Sequence, residues 1–227
     1  MSKNIRNDVK TLAYVLRRTN YAEADRILNI ITPTGKMSVI AKAARKSKSK
    51  LAGGVEMFSL VELHVHQGKS ELGVVTGARM IKYFGRILTD FSRMELAGEI
   101  LKKVSRAAEN TETDAHFKIV DESLKGLDAG VDTGLIDSWV TLNLLKTAGE
   151  EVNLYRDVKG EKLDAEMRYE WDTGENAFVS DAQGRFGVDE IKIMRLMLAT
   201  TPMVAMRVKG IEKSLPEILW LARVVGR

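Results

Sequence analysis

Five times in its first ninety residues the chain runs through a short apolar stretch and then a turn, and after residue 85 its apolar spacing changes from strand-like to helical. A chain that changes period once, with strands gathered before the change and helices after it, predicts an α+β multidomain fold. Leu12 to Arg18 is an apolar run ending in two arginines. Arg26 to Ile31 follows the polar turn Thr19-Asn20-Tyr21-Ala22-Glu23, so the two runs should pair as a hairpin. Thr32-Pro33-Thr34-Gly35 places Pro and Gly where a β-turn wants them, and Met37 to Ala43 resumes the strand pattern. From Val55 to Val65 strict alternation sets Val55, Met57, Val61, Leu63 and Val65 on one face. Glu56, Glu62, His64 and His66 fall on the other. A turn at Gln67-Gly68-Lys69-Ser70 leads into a fifth strand, Leu72 to Thr76.

Five such strands suit a small OB-type barrel, which predicts an N-terminal five-stranded OB-fold domain over residues 1–83. Residues 84–227 read as a helical bundle. A capping-box pattern at Ser92-x-x-Glu95 opens a helix carrying Met94, Ala97, Leu101, Val104 and Ala108. A second carries Phe117, Val120, Leu124 and Leu127, and a third carries Leu135, Trp139, Leu142 and Leu145. Val188 to Ala199 is a helix stopped by Thr201-Pro202, and Ser214-Leu215-Pro216-Glu217 caps a last one running to Val225. Residues 155–187, with Tyr169, Trp171 and Phe178 at strand-like spacing, predict a small β-containing insertion.

Charge follows the same division. Residues 1–90 hold 16 Lys and Arg against 7 Asp and Glu, whereas residues 91–227 hold 19 against 24. A net charge of +4 therefore hides a basic module suited to a polyanion joined to an acidic one with other work. Between Lys36 and Lys50 stand Lys36, Lys42, Arg45, Lys46, Lys48 and Lys50 without one acid. Cations of this kind neutralise phosphates and release condensed counterions, and Ser47 and Ser49 add hydroxyl donors. A basic run also serves as a solvated loop; Arg17, Arg18 and Arg26 nearby, with Arg79, Lys82 and Arg86, weigh toward nucleic acid. Tyr21, in a polar turn beside Arg17 and Arg18, is the expected base-stacking ring, with Tyr83 second; Tyr14 and Phe84 are expected to bury.

Several function classes lack their residues. With no cysteine, the chain forms no disulfide, thiolate metal site or cysteine nucleophile, and a reducing cytoplasm is its expected compartment. His64-Val65-His66 puts two imidazoles on one strand face without a third ligand, so no metal or other cofactor is expected. No glycine-rich phosphate loop and no nucleophile elbow are present, and no enzymatic reaction is specified. No stretch reaches the roughly 18 apolar residues of a membrane span.

The run Ala13-Tyr14-Val15-Leu16-Arg17-Arg18, then Tyr21-x-Glu23-x-Asp25-Arg26-Ile27, then Thr32-Pro33-x-Gly35-Lys36, resembles the RecO recombination-mediator family in order and spacing. Ala41-Lys42, the Arg45 to Lys50 loop, Phe58 to Leu63, Leu72-Gly73 and Tyr83-Phe84 continue the likeness across the barrel, which weakens beyond Arg93 to Ala107. The resemblance implies an OB domain and a helical domain without catalysis. It implies binding of single- and double-stranded DNA, annealing of complementary strands, and help to RecA, with RecR, in displacing single-stranded-DNA-binding protein, whose acidic C-terminal tail is an implied contact. It places the protein in a bacterial cytoplasm, with the nucleoid. Many members carry a four-cysteine zinc motif; here Arg156-Asp157-Val158-Lys159-Gly160 takes the place of its first half, and Gly184 near Phe186 that of its second. Zinc is not expected, and Tyr169, Trp171 and Phe178 are the expected packing in its stead. Two other readings share the same residues: an OB-type RNA-binding protein, and an adaptor that does not bind DNA.

Overall fold

The computed structural model describes residues 8–46, 48–49, 51, 54–68, 72–109 and 113–226. Its elements run β1 (Asp8–Tyr21), β2 (Asp25–Thr32), β3 (Gly35–Ala41), β4 (Ser59–His66), β5 (Gly73–Tyr83), a 3-10 turn at Gly85–Thr89, α1 (Phe91–Ala107), α2 (Ala115–Ala129) and α3 (Thr133–Ala148). Then come β6 (Tyr169–Asp172), β7 (Ala177–Ser180), α4 (Val188–Ala199), α5 (Pro202–Ala205) and α6 (Ile211–Val225). The first five strands close a barrel in the order β1-β2-β3-β5-β4, with β4 returning to β1 and with β3 and β5 parallel.

β1, the longest strand, closes the barrel by pairing with a different neighbour along each half. Asp8 to Tyr14 lie against β4, and Tyr14 to Tyr21 lie against β2 across a register shift between Val15 and Arg17. Ala13 and Val15 enter the barrel core with Leu28, Ile30, Val39, Val61, Leu63 and Val65. Alternation should then expose Tyr14 and Leu16, yet both are buried. Tyr14 stacks on Phe117 of α2, ring centroids 5.3 Å apart, and its hydroxyl donates to Asp121 at 2.6 Å. An unbroken apolar run in a strand is the sign of burial on both faces.

The structure shifts several expected boundaries. The fourth strand starts at Ser59 rather than Val55, because Phe58 sits in the left-handed region at φ 56° and the Ser59 hydroxyl closes a turn onto the Glu56 carbonyl at 2.7 Å. Val55 is still buried and Val61, Leu63 and Val65 still face inward. The fifth strand runs on to Tyr83. α1 is capped by Asp90, whose carboxylate accepts from the Arg93 amide at 3.0 Å, so Ser92 lies inside the helix and the Ser92–Glu95 box is not its cap. A carboxylate is the stronger acceptor at the positive end of a helix. α6 begins at Ile211, and Pro216 lies inside it, where it has no amide to donate to the Glu212 carbonyl. The turn residues Lys69 and Ser70 lie outside the described residues.

The chain divides into two compact units, 1–125 and 126–227. The change from strands to helices at residues 83–84 is thus not where the units part, since α1 packs on β1 and α2 joins the barrel through Tyr14. In the second unit α3 packs on α6 and α4, and the Trp139 indole donates to the Thr200 carbonyl at 2.8 Å. The β6–β7 hairpin stacks Trp171 and Phe178 edge to face at 5.0 Å, and Phe178 meets Phe186 at 5.4 Å.

Candidate nucleic-acid interface

Most of the cations expected from the sequence gather at one end of the barrel. The segment after β3 folds back on the β1–β2 turn: the Arg45 amide donates to the Ala24 carbonyl at 2.9 Å and the Ala43 amide to Asp25 at 2.7 Å. The Arg45 guanidinium reaches the Glu23 carbonyl at 3.3 Å. Lys42, Arg45, Lys46 and Lys48 are exposed, and Tyr21 beside them is 52% exposed. Arg26 faces Ala41 in the ladder and so belongs to the same end. It shares Glu56 with Arg18, at 3.6 Å and 2.5 Å, so one carboxylate serves two guanidinium groups. Among the described residues Arg17, Lys42, Lys46 and Lys48 have no acidic partner. Lys50 lies outside the described residues.

Lys36 stands apart from this group. It opens β3, and six residues of strand put it roughly 20 Å from Lys42. Its ammonium, largely buried, donates to the Ser105 carbonyl at 2.7 Å and to Glu109 at 3.2 Å, both on or just beyond α1. A groove of about 550 Å³ opens here. Arg17, Arg18, Asn29 and Lys36 form its barrel side, and Lys102, Ser105, Arg106 and Glu109 its helical side, over Leu16 and Met57. Sequence reasoning missed Lys102 and Arg106, which sit in a region of net negative charge. The spacing of Gly98, Lys102, Ser105 and Arg106, one stripe of α1, was the available signal.

The outer face of β4 is occupied by ion pairs. Glu62 meets Lys10 at 3.1 Å and Arg79 at 3.2 Å, and the hydrogen bond from Lys10 holds its carboxyl below the usual carboxylate range. His66 is paired with Asp8 at 2.7 Å, and His64 is exposed. Among the described residues no group of three His, Cys, Asp or Glu is placed to hold a metal.

The residues at 156–186 do not fit a zinc site. Asp157 accepts from the amides of Lys159 and Glu161, each at 2.9 Å, and Gly160 closes that turn at φ 80°. Gly184 approaches the Tyr169 backbone so closely that a Cβ would lie 2.3 Å from its carbonyl. The interior is filled by Tyr169, Trp171, Phe178 and Phe186.

Strand order, closure and a cationic end define an OB-fold-like protein whose barrel presents positive charge to solvent. The family model described as recombination protein O N terminal matches residues 5–84. The DNA repair protein RecO of Roseiflexus sp. (strain RS-1) is 35% identical over 147 residues, covering 64% of this chain and 52% of that protein. Its counterpart in Dehalococcoides mccartyi (strain CBDB1) is 31% identical over 166 residues, covering 72% and 65%. That of Bacillus pumilus (strain SAFR-032) is 27% identical over 188 residues, covering 82% and 71%. The chain belongs to the RecO family. It spans about half to two thirds of the length of the first two relatives. Among the described residues no helix is long and apolar enough to cross a membrane.

Proposed function

We propose that this chain is a DNA repair and recombination protein that binds single- and double-stranded DNA through its barrel and anneals complementary strands, acting without catalysis of its own. The observation that carries the reading is a set of exposed cations, Arg17, Lys42, Lys46 and Lys48, that have no acidic partner among the described residues, on a barrel of the RecO family. Such charge serves phosphate binding without sequence readout. In this reading Arg17, Arg18, Arg26, Lys36, Lys42, Arg45, Lys46, Lys48 and Lys50 contact phosphates and Tyr21 stacks on a base.

Residues 1–83 are then the DNA-binding domain, and residues 84–227 the helical domain for protein partners. Family membership supports RecR and the acidic tail of single-stranded-DNA-binding protein as those partners, RecA loading as the outcome, and a cytoplasmic site of action at the nucleoid. Annealing of two complementary oligonucleotides across a salt series tests the proposal. Acceleration by the purified chain, lost when Arg45, Lys46, Lys48 and Lys50 are all alanine, is the expected result. No acceleration at any salt, or tighter binding of RNA in direct competition, overturns it.

A further inference from the structure

The groove beside α1 sets Lys102 and Arg106, which no sequence expectation named, across from cations of the barrel. Arg17 and Arg18 stand on its barrel side, Lys102 and Arg106 on its helical side, and Lys36 at its edge. Lys102 and Arg106 are one helical turn apart, about 6 Å along the axis, comparable to the step between phosphates of an extended strand. A cleft of about 550 Å³ admits a short length of one strand. It is too small for a double helix, whose major groove alone is about 12 Å wide. Half-buried Met57, over the nearly buried Leu16, gives the groove an apolar floor. The spacing of Lys102 and Arg106, matched to successive phosphates, favours a nucleic-acid strand over an acidic peptide.

Glu109 has a distinct place in this groove. Its carboxylate, 69% exposed in the side chain, reaches Lys36 at 3.2 Å while the ammonium itself is largely buried. Glu109 is the solvent-facing member of the pair, and a largely buried ammonium that loses it needs another anion in its place. Glu109 occupies the position on Lys36 that a phosphate oxygen would take.

We propose that the groove between the barrel and α1 is a slot for the backbone of a single DNA strand, in which Lys102 and Arg106 grip phosphates opposite Arg17 and Arg18 and the strand displaces Glu109 from Lys36. The inference rests on the DNA-binding reading above and extends it from the barrel to a helix. Its ligand is a phosphodiester strand, not free phosphate. Gly98, on the same helical stripe, has nothing within 4 Å of where its Cβ would be, so a side chain added there projects into open space.

The test is fluorescence anisotropy of the full chain with a labelled oligothymidylate and with a duplex, over a range of salt. The variants are Lys102→Ala/Arg106→Ala, Gly98→Glu and Glu109→Gln. The first removes two phosphate contacts, so the logarithmic salt slope for the single strand should fall by about 1.4, at roughly 0.7 per phosphate. The duplex should be affected less. Gly98→Glu replaces a helical glycine with a better helix former, so weaker strand binding reports charge in the slot rather than unfolding. Glu109→Gln should tighten binding severalfold. A wild type that binds the strand while Lys102→Ala/Arg106→Ala keeps its affinity and slope overturns the slot and leaves the barrel reading standing. So does a double variant that loses inorganic phosphate or an acidic peptide but not the strand. A wild type that binds no strand at all sinks both.

Discussion

Tyr14→Phe removes one oxygen from the contact that fastens α2 to the barrel. The ring stays, between Phe117 at 5.3 Å and Phe84 at 6.3 Å, so no cavity opens. What is lost is the hydrogen bond to Asp121, whose other oxygen keeps Lys125 at 2.7 Å. A hydrogen bond to a charged group contributes about 1.5–3 kcal/mol, and the retained lysine sets the expected loss near the lower figure. Burial first, and then the Asp121 bond, push the Tyr14 hydroxyl well above the usual tyrosine value of 10. The unfolded chain therefore releases this proton at a pH where the folded chain keeps it, and stability falls as pH rises above about 10. At pH 11 the Tyr14 contribution should be smaller by about 1.4 kcal/mol, so wild type and Tyr14→Phe should nearly converge. Urea denaturation followed by circular dichroism at pH 7 and pH 11 measures both differences. Trp139, Trp171 and Trp220 all lie in residues 126–227, so their fluorescence gives a separate record of the second unit. A variant as stable as wild type at pH 7, or a gap of unchanged size at pH 11, refutes the reasoning.

Two further outcomes follow from buried groups. Burial pushes the His116 imidazole down, so its contribution to stability is present above about pH 6.5 and is lost on acidification; His116→Gln should flatten the acid limb of a stability–pH curve. Phe178, fully buried among Tyr169, Trp171 and Phe186, should cost about 3–5 kcal/mol on substitution by alanine, seen as an earlier tryptophan-fluorescence transition in urea.

The barrel was largely legible in the sequence because each of its strands is a short run closed by turn chemistry. Thr32-Pro33-Thr34-Gly35 is the clearest case: Gly35 takes φ 120° and the Thr32 hydroxyl donates to the Gly35 carbonyl at 2.9 Å. The start of β4 was not legible, since Val55 and Met57 keep the period of a strand while Phe58, in the left-handed region, breaks it. Periodicity reports which side chains bury, and Val55 does bury. The basic loop was visible as composition, but the groove was not. Its cations come from β1, β3 and α1, and only the packing of α1 on β1 brings Arg17 and Arg106 to one cleft. Lys36 read as one of six free charges and proves to be tied to Ser105 and Glu109.

Everything proposed for the barrel requires that the exposed charge at its β1–β2 end binds DNA. Affinity for a labelled single strand should be measured against salt for wild type and for Lys42→Ala/Arg45→Ala/Lys46→Ala/Lys48→Ala. If these four side chains each neutralise a phosphate, the variant's logarithmic salt slope should be lower by up to about 2.8, with weaker binding at every salt concentration. Equal slopes and equal affinities would contradict the account.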